Sequence, residues 1–400
     1  MFNTLDDLEP GQRLLVRLDL NAPVEGGTVQ DNRRFARHAA TLEELLDADH
    51  AIAVLAHQGR PGGDTFVSLE QHADILADHL GQDVAFVPDT YGEEALEAIT
   101  ALEAGDVLVL ENVRMCDDEL PEADPEEKAS TEFVSTLAPS FDAYVNDAYS
   151  AAHRAHASLV GFPLVMDAYA GRVMETEYTA NSAIQERSFD GPVTMVLGGT
   201  KAEDLIPVIE RVDDTVDRFC LGGIVGELFL RAAGHDVGYD VDGTAFFDHQ
   251  WADHQETIES VLAAYGDRLH LAADLAYADD DGERAELPVE EISKETSFLD
   301  IGTDSAAAYA DLVRESDAVF VKGALGVFED ERFADGTVDV LRAVAETDCF
   351  SVVGGGDTSR AIPIYGLDEA DFSHVSVAGG AYVAALTGDT LVAIDVLSES

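Results

Sequence analysis

The chain has 400 residues, 46% of them hydrophobic, with 80 acidic against 23 basic side chains and a formal charge of −57. That length exceeds one compact core and that apolarity excludes disorder, so two or three domains are expected. No basic stripe exists to neutralise phosphates, which excludes nucleic-acid binding. The acids are spread through regular apolar segments rather than gathered in a tail. In dilute buffer such a chain repels itself, whereas at molar salt the Debye length shrinks to about 3 Å. The composition is therefore that expected of a protein adapted to a very salty cytoplasm, the other reading being an acidic protein that binds a polycation. Cys116, Cys220 and Cys349 are widely spaced and form no CxxC pair, so neither a disulfide framework nor a zinc site is expected. The opening residues lack a basic segment followed by an apolar one, and no run approaches the ~18 apolar residues of a membrane span. These features predict a soluble, cytoplasmic protein with no signal peptide and no membrane partner.

In chain order, short apolar runs predict strands at 14–19, 51–56, 84–87, 107–111 and 143–146, then at 193–197, 218–221, 269–273, 318–322, 350–353 and 375–378. Between them, amphipathic stretches predict helices at 33–48, 68–80, 126–137, 204–212, 303–315 and 338–346. Continuous apolar strands alternating with helices indicate α/β domains with parallel sheets covered on both faces. Residues 168–181 read as a helix without a preceding strand, placed to connect two domains of similar size. Ligands of open parallel sheets bind at the carboxyl ends of the strands.

In so acidic a chain the cations are informative. Of four lysines, Lys201 and Lys322 follow predicted strands beside glycines, while Lys128 and Lys294 do not. In the first half, Arg17, Arg60, Arg114 and Arg154 sit at strand ends or in the turns after them, and Arg33 and Arg34 open the first long helix. Each alone reads as a surface salt bridge. Together on one sheet rim they suit a small phosphorylated or carboxylated anion, which arginine holds bidentately. His57, His153 and His156 lie among them, and no carboxylate spacing marks any as a metal ligand. In the second half, a buried strand runs into Gly354-Gly-Gly-Asp-Thr358, which reads as an anion site of glycine amides at a helix start with Asp357 a candidate to hold magnesium, the other reading being a tight strand-helix turn with an N-cap. Leu197-Gly-Gly-Thr-Lys201, Gly222-Gly223 and Gly323-Ala-Leu-Gly-Val-Phe-Glu329 are further glycine turns, the last with a carboxylate for ribose hydroxyls. A Walker A element and an intact GxGxxG fingerprint are both missing.

The ordered set Arg17-Leu-Asp-Leu-Asn-Ala-Pro23, His57-Gln-Gly-Arg-Pro61, Leu110-Glu-Asn-Val-Arg114, Asn146-Asp-Ala-Tyr149 to His153-Arg-Ala-His156, Leu197–Lys201, Gly326-Val-Phe-Glu329 and Gly354–Thr358 resembles the phosphoglycerate kinase family nearly end to end. The resemblance implies two Rossmann-like three-layer α/β/α domains joined by a hinge helix. It implies a phosphoglycerate-binding domain at 1–170, a nucleotide-binding domain at 171–387, and a tail, 388–400, returning to the first. It implies a reversible, magnesium-dependent transfer of the acyl phosphate of 1,3-bisphosphoglycerate to ADP, giving 3-phosphoglycerate and ATP, by a monomer that closes on its substrates. By position, Asp19, Leu20, Asn21, Arg34, His57, Gln58, Gly59, Arg60, Arg114 and Arg154 take the phosphoglycerate contacts. Lys201, Glu329, Gly355, Gly356, Asp357 and Thr358 take the nucleotide contacts, with Asp357 on Mg2+ and with Arg34 and Lys201 catalytic.

Departures from the family pattern accompany the match. Leu205 stands where a second lysine is common, Lys322 and Ala324 replace an Asn and a Pro, and Val377 and Ala378 replace a Thr and a Gly. Lys322 is thus a candidate to supply phosphate charge lost at Leu205, with a structural salt bridge as its other reading. Another two-lobed carboxylate kinase would share the glycine turns but would not require five arginines on the first lobe. A non-catalytic nucleotide- or anion-binding protein would tolerate loss of Lys201.

Overall fold

The computed structural model describes residues 2–212, 214–239 and 244–399. Ser400, the last residue of the expected tail, lies outside them. The chain divides into two compact units, residues 1–179 with 390–400, and residues 180–389.

The first unit is built on β1 (Arg13–Arg17), the small hairpin β2 (Val24–Glu25) and β3 (Thr28–Val29), β4 (Ala51–Leu55), β5 (Ala85–Phe86), β6 (Val107–Val109), β7 (Ala143–Asn146) and β8 (Ala168–Ala170). Six of these strands form a sheet in the order β5-β6-β4-β1-β7-β8, every pair parallel. Leu14–Val16 and Ile52–Leu55 have no exposure at all, as parallel strands covered on both faces require. The core gathers Leu14, Val16, Leu42, Ile52, Val54 and Val109 around Phe35 of the helix Arg33–Asp47. The carboxyl-terminal helix Val392–Glu399 is held in this unit, Ala393 N–H donating to the Ala152 carbonyl at 3.0 Å.

The second unit contains β9 (Val193–Leu197), β10 (Arg218–Leu221), β11 (Leu269–His270), β12 (Asp274–Ala278), β13 (Arg284–Pro288), β14 (Phe298–Ile301), β15 (Ala318–Lys322), β16 (Phe350–Gly354) and β17 (His374–Val375). Its six-stranded sheet runs β11-β10-β9-β15-β16-β17, again parallel throughout. Helices pack among themselves in two groups: Thr303–Arg314 and Gly356–Ile364 with Asp335–Glu346, and Ala202–Arg211 and Gly223–Ala232 with Phe246–Tyr265, Gly380–Thr387 also lying on Ala202–Arg211. No single helix among the described residues is long and apolar enough to cross a membrane.

Three expectations need correction. The helix expected over 168–181 begins only at Arg172, because Ala168–Ala170 form the edge strand β8. Gly171 marks the corner, since a side chain there would run into the Asp147 carboxylate. The helix expected over 126–137 is two short ones, Pro125–Ala129 and Glu132–Leu137, divided where Thr131 caps the second by accepting from Val134 N–H. Residues 274–301 also form an antiparallel sheet, β13-β12-β14, that the apolar-run reading missed. Its β13, Arg-Ala-Glu-Leu-Pro, is half exposed and too polar to register as a buried strand.

Candidate active site

In the first unit the loops after β1, β4, β6 and β7 carry a cationic cluster around one buried acid. Asp19 lies two residues beyond β1 and is buried. It pairs with Arg34 Nη1 at 2.9 Å, accepts the Ser150 hydroxyl, and accepts Asn21 N–H at 3.1 Å. Burial alone would raise its carboxyl, but Arg34, His57 and the Ser150 donor outweigh it and hold the group well below the usual carboxylate range. Arg34 sits on the first turn of its helix, whose cap Asn32 accepts Arg34 N–H, and its Nη1 also donates to the Asn21 carbonyl at 2.9 Å.

His57 lies two residues beyond β4, and its Nδ1 accepts from Arg17 Nη2 at 3.1 Å, leaving the proton on Nε2. Burial, then the arginines Arg17, Arg114 and Arg34, push it well below its ordinary pKa against the pull of Asp19, so the ring is neutral at neutral pH. Arg114 donates to the Gly59 carbonyl, and Gly59 N–H donates to Asn21 Oδ1 at 2.8 Å. Burial first, then the charges of Arg17, Arg154 and Arg60, bring Arg114 down to about 10 against the pull of Glu119. Arg60 is exposed; Arg154 is partly exposed and pairs with Glu122 at 3.3 Å.

The structure therefore brings Asp19, Asn21, Arg34, His57, Gly59, Arg60, Arg114 and Arg154 to one rim. Leu20 and Gln58 play other parts. Leu20 is a core side chain with no exposure, so only its backbone is available to a ligand. The Gln58 amide is spent internally, bonding Ala22 N–H and carbonyl, the Thr65 carbonyl and His72 Nε2. Arg17 is not on the rim. It is buried behind His57, with Nε bonded to Ser158 Oγ at 2.9 Å, and Ser158 in turn bonded to buried Glu119.

A second set of buried bonds leads away from the rim. Asp19 N–H donates to His38 Nε2 at 3.2 Å, so His38 carries its proton on Nδ1 and donates it to Asp147 Oδ2 at 2.8 Å. Asp147 Oδ1 accepts Val173 and Met174 N–H, at the amino end of the helix Arg172–Asn181.

In the second unit the turns after β9 and β15 touch backbone to backbone. A side chain on Gly198 would strike the Ala324 carbonyl, and one on Gly323 would strike the Gly198 carbonyl. Lys201 then precedes the helix Ala202–Arg211 and is exposed. After β16, Gly355 takes φ +105° and opens the helix Gly356–Ile364 with no side-chain cap. The amides of its first turn are thus left to a ligand, and the fully buried Thr358 Oγ1 has no hydrogen-bond partner. Asp357 is exposed at the same turn. Arg360, unremarked in the sequence, stands 3.5 Å from Glu329 and 3.7 Å from Asp357. Lys322 ends β15 in register with Leu197 and Gly354, and a Cβ on Gly355 would lie 3.3 Å from its Nζ.

Among the described residues no group of three or more His, Cys, Asp or Glu is arranged to hold a metal. A lone Asp357 beside an uncapped helix start and an orphaned hydroxyl fits a magnesium ion that keeps most of its ligands as water and nucleotide phosphate.

A cavity of about 210 Å³ adjoins these loops. Gly199, Gly222, Gly223 and Asp357 line it along with Glu329, and its walls are apolar, from Leu230, Leu275, Phe298 and Ile301. Glu227 lines it too, and nothing in the sequence marked that residue beyond its place one turn after Gly222-Gly223.

A family model described as phosphoglycerate kinase matches residues 5–389. The phosphoglycerate kinase of Halorubrum lacusprofundi is 70% identical over 397 residues, covering 99% of this chain and 98% of its own. That of Haloarcula marismortui is 66% identical over 397 residues, 99% of each chain. Among solved structures, the phosphoglycerate kinase of Pyrococcus horikoshii superposes with a TM-score of 0.92 at 30% identity, covering 100% of this chain and 98% of that one.

Proposed function

The chain belongs to the phosphoglycerate kinase family, a family of phosphotransferases with a carboxyl acceptor, and on that premise we propose how its two units divide the reaction. The first unit takes 3-phosphoglycerate or 1,3-bisphosphoglycerate through Asn21, Arg34, His57, Gly59, Arg60, Arg114 and Arg154, with Asp19 orienting Arg34. The second takes ATP or ADP through Gly355, Gly356, Thr358 and Glu329. Lys201 neutralises the phosphoryl group in transit, and Lys322 adds charge from the end of β15. Magnesium held by Asp357 would offset nucleotide phosphate charge. The observation that carries this reading is the gathering of Arg60, Arg114 and Arg154 about buried Arg17, where burial first and then these neighbouring charges lower the Arg114 pKa. In a chain of charge −57, four arginines gathered against two acids, Glu119 and Glu122, mark a site for an anion.

Phosphoryl transfer needs in-line positioning and neutralised oxygens more than covalent help from the protein. Arginines on one unit and glycine amides with lysines on the other meet that need once the units close. We assign the hinge to the helix Arg172–Asn181, which leaves one unit and enters the other at residues 179 and 180. The bonds from Asp19 through His38 and Asp147 to its first amides give the substrate loop a grip on that helix. The surface acids fit a saline cytoplasm, and the enzyme acts as a monomer.

The test is a coupled assay in molar potassium chloride with ATP and 3-phosphoglycerate, using a salt-tolerant dehydrogenase to consume the acyl phosphate. Turnover that disappears in Lys201→Ala and Arg34→Ala supports the assignment of the two units. A folded wild-type sample without turnover overturns it, and absence of compaction in small-angle scattering with both ligands bound overturns closure alone.

A further inference from the structure

Glu227 occupies the second turn of the helix Gly223–Ala232, which starts directly after the glycine turn following β10. Gly223, Gly226, Glu227 and Leu230 all line the 210 Å³ cavity, so one face of this helix forms a wall of it. At 1.5 Å per residue, Glu227 stands about 6 Å along the helix from Gly223, away from the glycine turns. Only 8% of the residue is exposed, and its carboxyl makes no hydrogen bond or ion pair with any described residue. Leu230, Leu275, Phe298 and Ile301 line the cavity with it, and the buried Asp300 carboxylate there is bound by Arg284. A buried polar group with no protein partner, aimed into an apolar cavity beside a phosphate-binding rim, is a group kept for a ligand.

The ligand must be flat and apolar enough to enter between Leu230, Leu275 and Phe298, and must carry hydrogen-bonding atoms at its edge. We propose that Glu227, lining the apolar cavity beside the glycine turns, reads the edge of the nucleotide base and sets the base preference of the enzyme. This rests on the reading that the second unit binds the nucleotide. A carboxylic acid presents one donor and one acceptor side by side. Adenine offers the complement, a ring-nitrogen acceptor beside the N6 amino donor. A carboxylate presents acceptors only, and so matches the paired N1–H and N2–H donors of guanine instead.

Burial alone raises the Glu227 carboxyl, to about 8, so the acid form prevails at neutral pH and gives way just above it. The charged groups around it do not control this. Arg231, one turn on, is held by Asp248 from the neighbouring helix Phe246–Tyr265 at 2.7 Å. Asp300, from β14, is bound by Arg284 at 3.1 Å and by Gly336 N–H. Glu203 and Asp204 lie on the first turn of the helix Ala202–Arg211, Asp204 close enough to Lys322 to oppose its lowered pKa, and Glu329 and Asp357 are exposed at the rim. Burial raises Asp300 only to about 6, and Lys322, lowered by burial, faces the phosphates that ADP and GDP share, so the ADP-to-GDP ratio above pH 7 reports on Glu227.

The experiment measures ADP and GDP binding to the full chain in molar potassium chloride by calorimetry from pH 6.8 to 9, for wild type, Glu227→Gln and Glu227→Leu. In wild type, ADP affinity falls roughly tenfold over the range while GDP affinity holds or rises. Glu227→Gln fixes one donor and one acceptor at every pH, so its ADP-to-GDP ratio becomes flat. Glu227→Leu loses most of the ratio. Wild-type binding with the same pH-dependent ratio in all three proteins overturns the proposal and leaves the nucleotide site standing. No ADP binding by folded wild type overturns the nucleotide reading itself.

Discussion

Lys322→Met separates charge from packing at the nucleotide rim. Methionine has nearly the length of lysine and keeps its apolar stem, so the substitution removes one positive charge and little else. Burial pushes the Lys322 ammonium below its usual pKa, with Asp204 and Asp357 opposing and Lys201 reinforcing that shift. Nζ lies against Gly355, whose following amides are the proposed phosphate cradle. A phosphate there stands on the order of 4 Å from Nζ, where one unit charge is worth about 1 kcal/mol in water-like screening and about 4 at a protein surface. Only the part realised more strongly in the transition state enters kcat. The expected loss is therefore tenfold or more in kcat/KM for MgATP, or at least ~1.4 kcal/mol of barrier. Stability moves the other way, because a desolvated ammonium is replaced by a thioether, so the melting temperature holds or rises. The assay is the coupled turnover at several KCl concentrations, since molar salt weakens whatever part of the effect is solvent-exposed. A folded Lys322→Met protein with kcat/KM within twofold of wild type refutes the reasoning and leaves Lys322 a structural residue.

Arg284→Ala should destabilise the second unit by about 3 kcal/mol in denaturant titration, because it leaves the wholly buried Asp300 carboxyl without its 3.1 Å partner; a loss under ~1 kcal/mol would show that the Gly336 and Ile301 amides suffice. Buried His72, whose Nε2 donates to Gln58, is lowered by burial to about 4 from an ordinary 6.5. The unfolded chain binds the extra proton between those values, so stability present above pH 6.5 is lost as pH falls toward 4, by on the order of 3 kcal/mol. His72→Gln should flatten that slope in 2 M KCl, and an unchanged slope would rule the ring out as its source. With a charge of −57 the melting temperature should climb steadily as KCl rises from about 0.1 to 2 M, and a flat profile would contradict the self-repulsion argument.

Much of this architecture was legible because parallel strands are apolar on both faces. Runs such as Val193–Leu197 and Ala318–Lys322 stand out in an acidic chain, and the structure makes both into strands with those bounds. What escaped the sequence lacks that signature. Ala168–Ala170 is three residues long, too short to show a period, and its hydrogen bonds go to Asn3 and β7. The antiparallel β13 is held by Arg284 and Glu286 contacts with Asp300 and Thr303, which are tertiary facts without a local pattern. At the rim, residue type pointed to the right loops but not to which way each side chain turns. Gln58, in the same motif as His57 and Arg60, faces inward to bridge Ala22 and Thr65. Arg17, one strand position from the loop, is drawn in to support His57.

The distribution of charge explains why those two directions matter. The rim of the first unit places Asp19 at its centre with Arg34 bonded to it, and the remaining arginines have no comparable buried acid. Glu119, the other buried carboxylate nearby, is instead bound to Ser158 and faces Arg17 from behind. Asp19 thus fixes Arg34, while Glu119 helps carry the charge of the inner Arg17. The outer guanidinium groups are left with field to spare, and their mutual repulsion is relieved when an anion enters. Substitutions at Asp19 and Glu119 should therefore act differently: the first loosens the position of Arg34, and the second leaves Arg17 as an uncompensated buried charge that destabilises the whole unit.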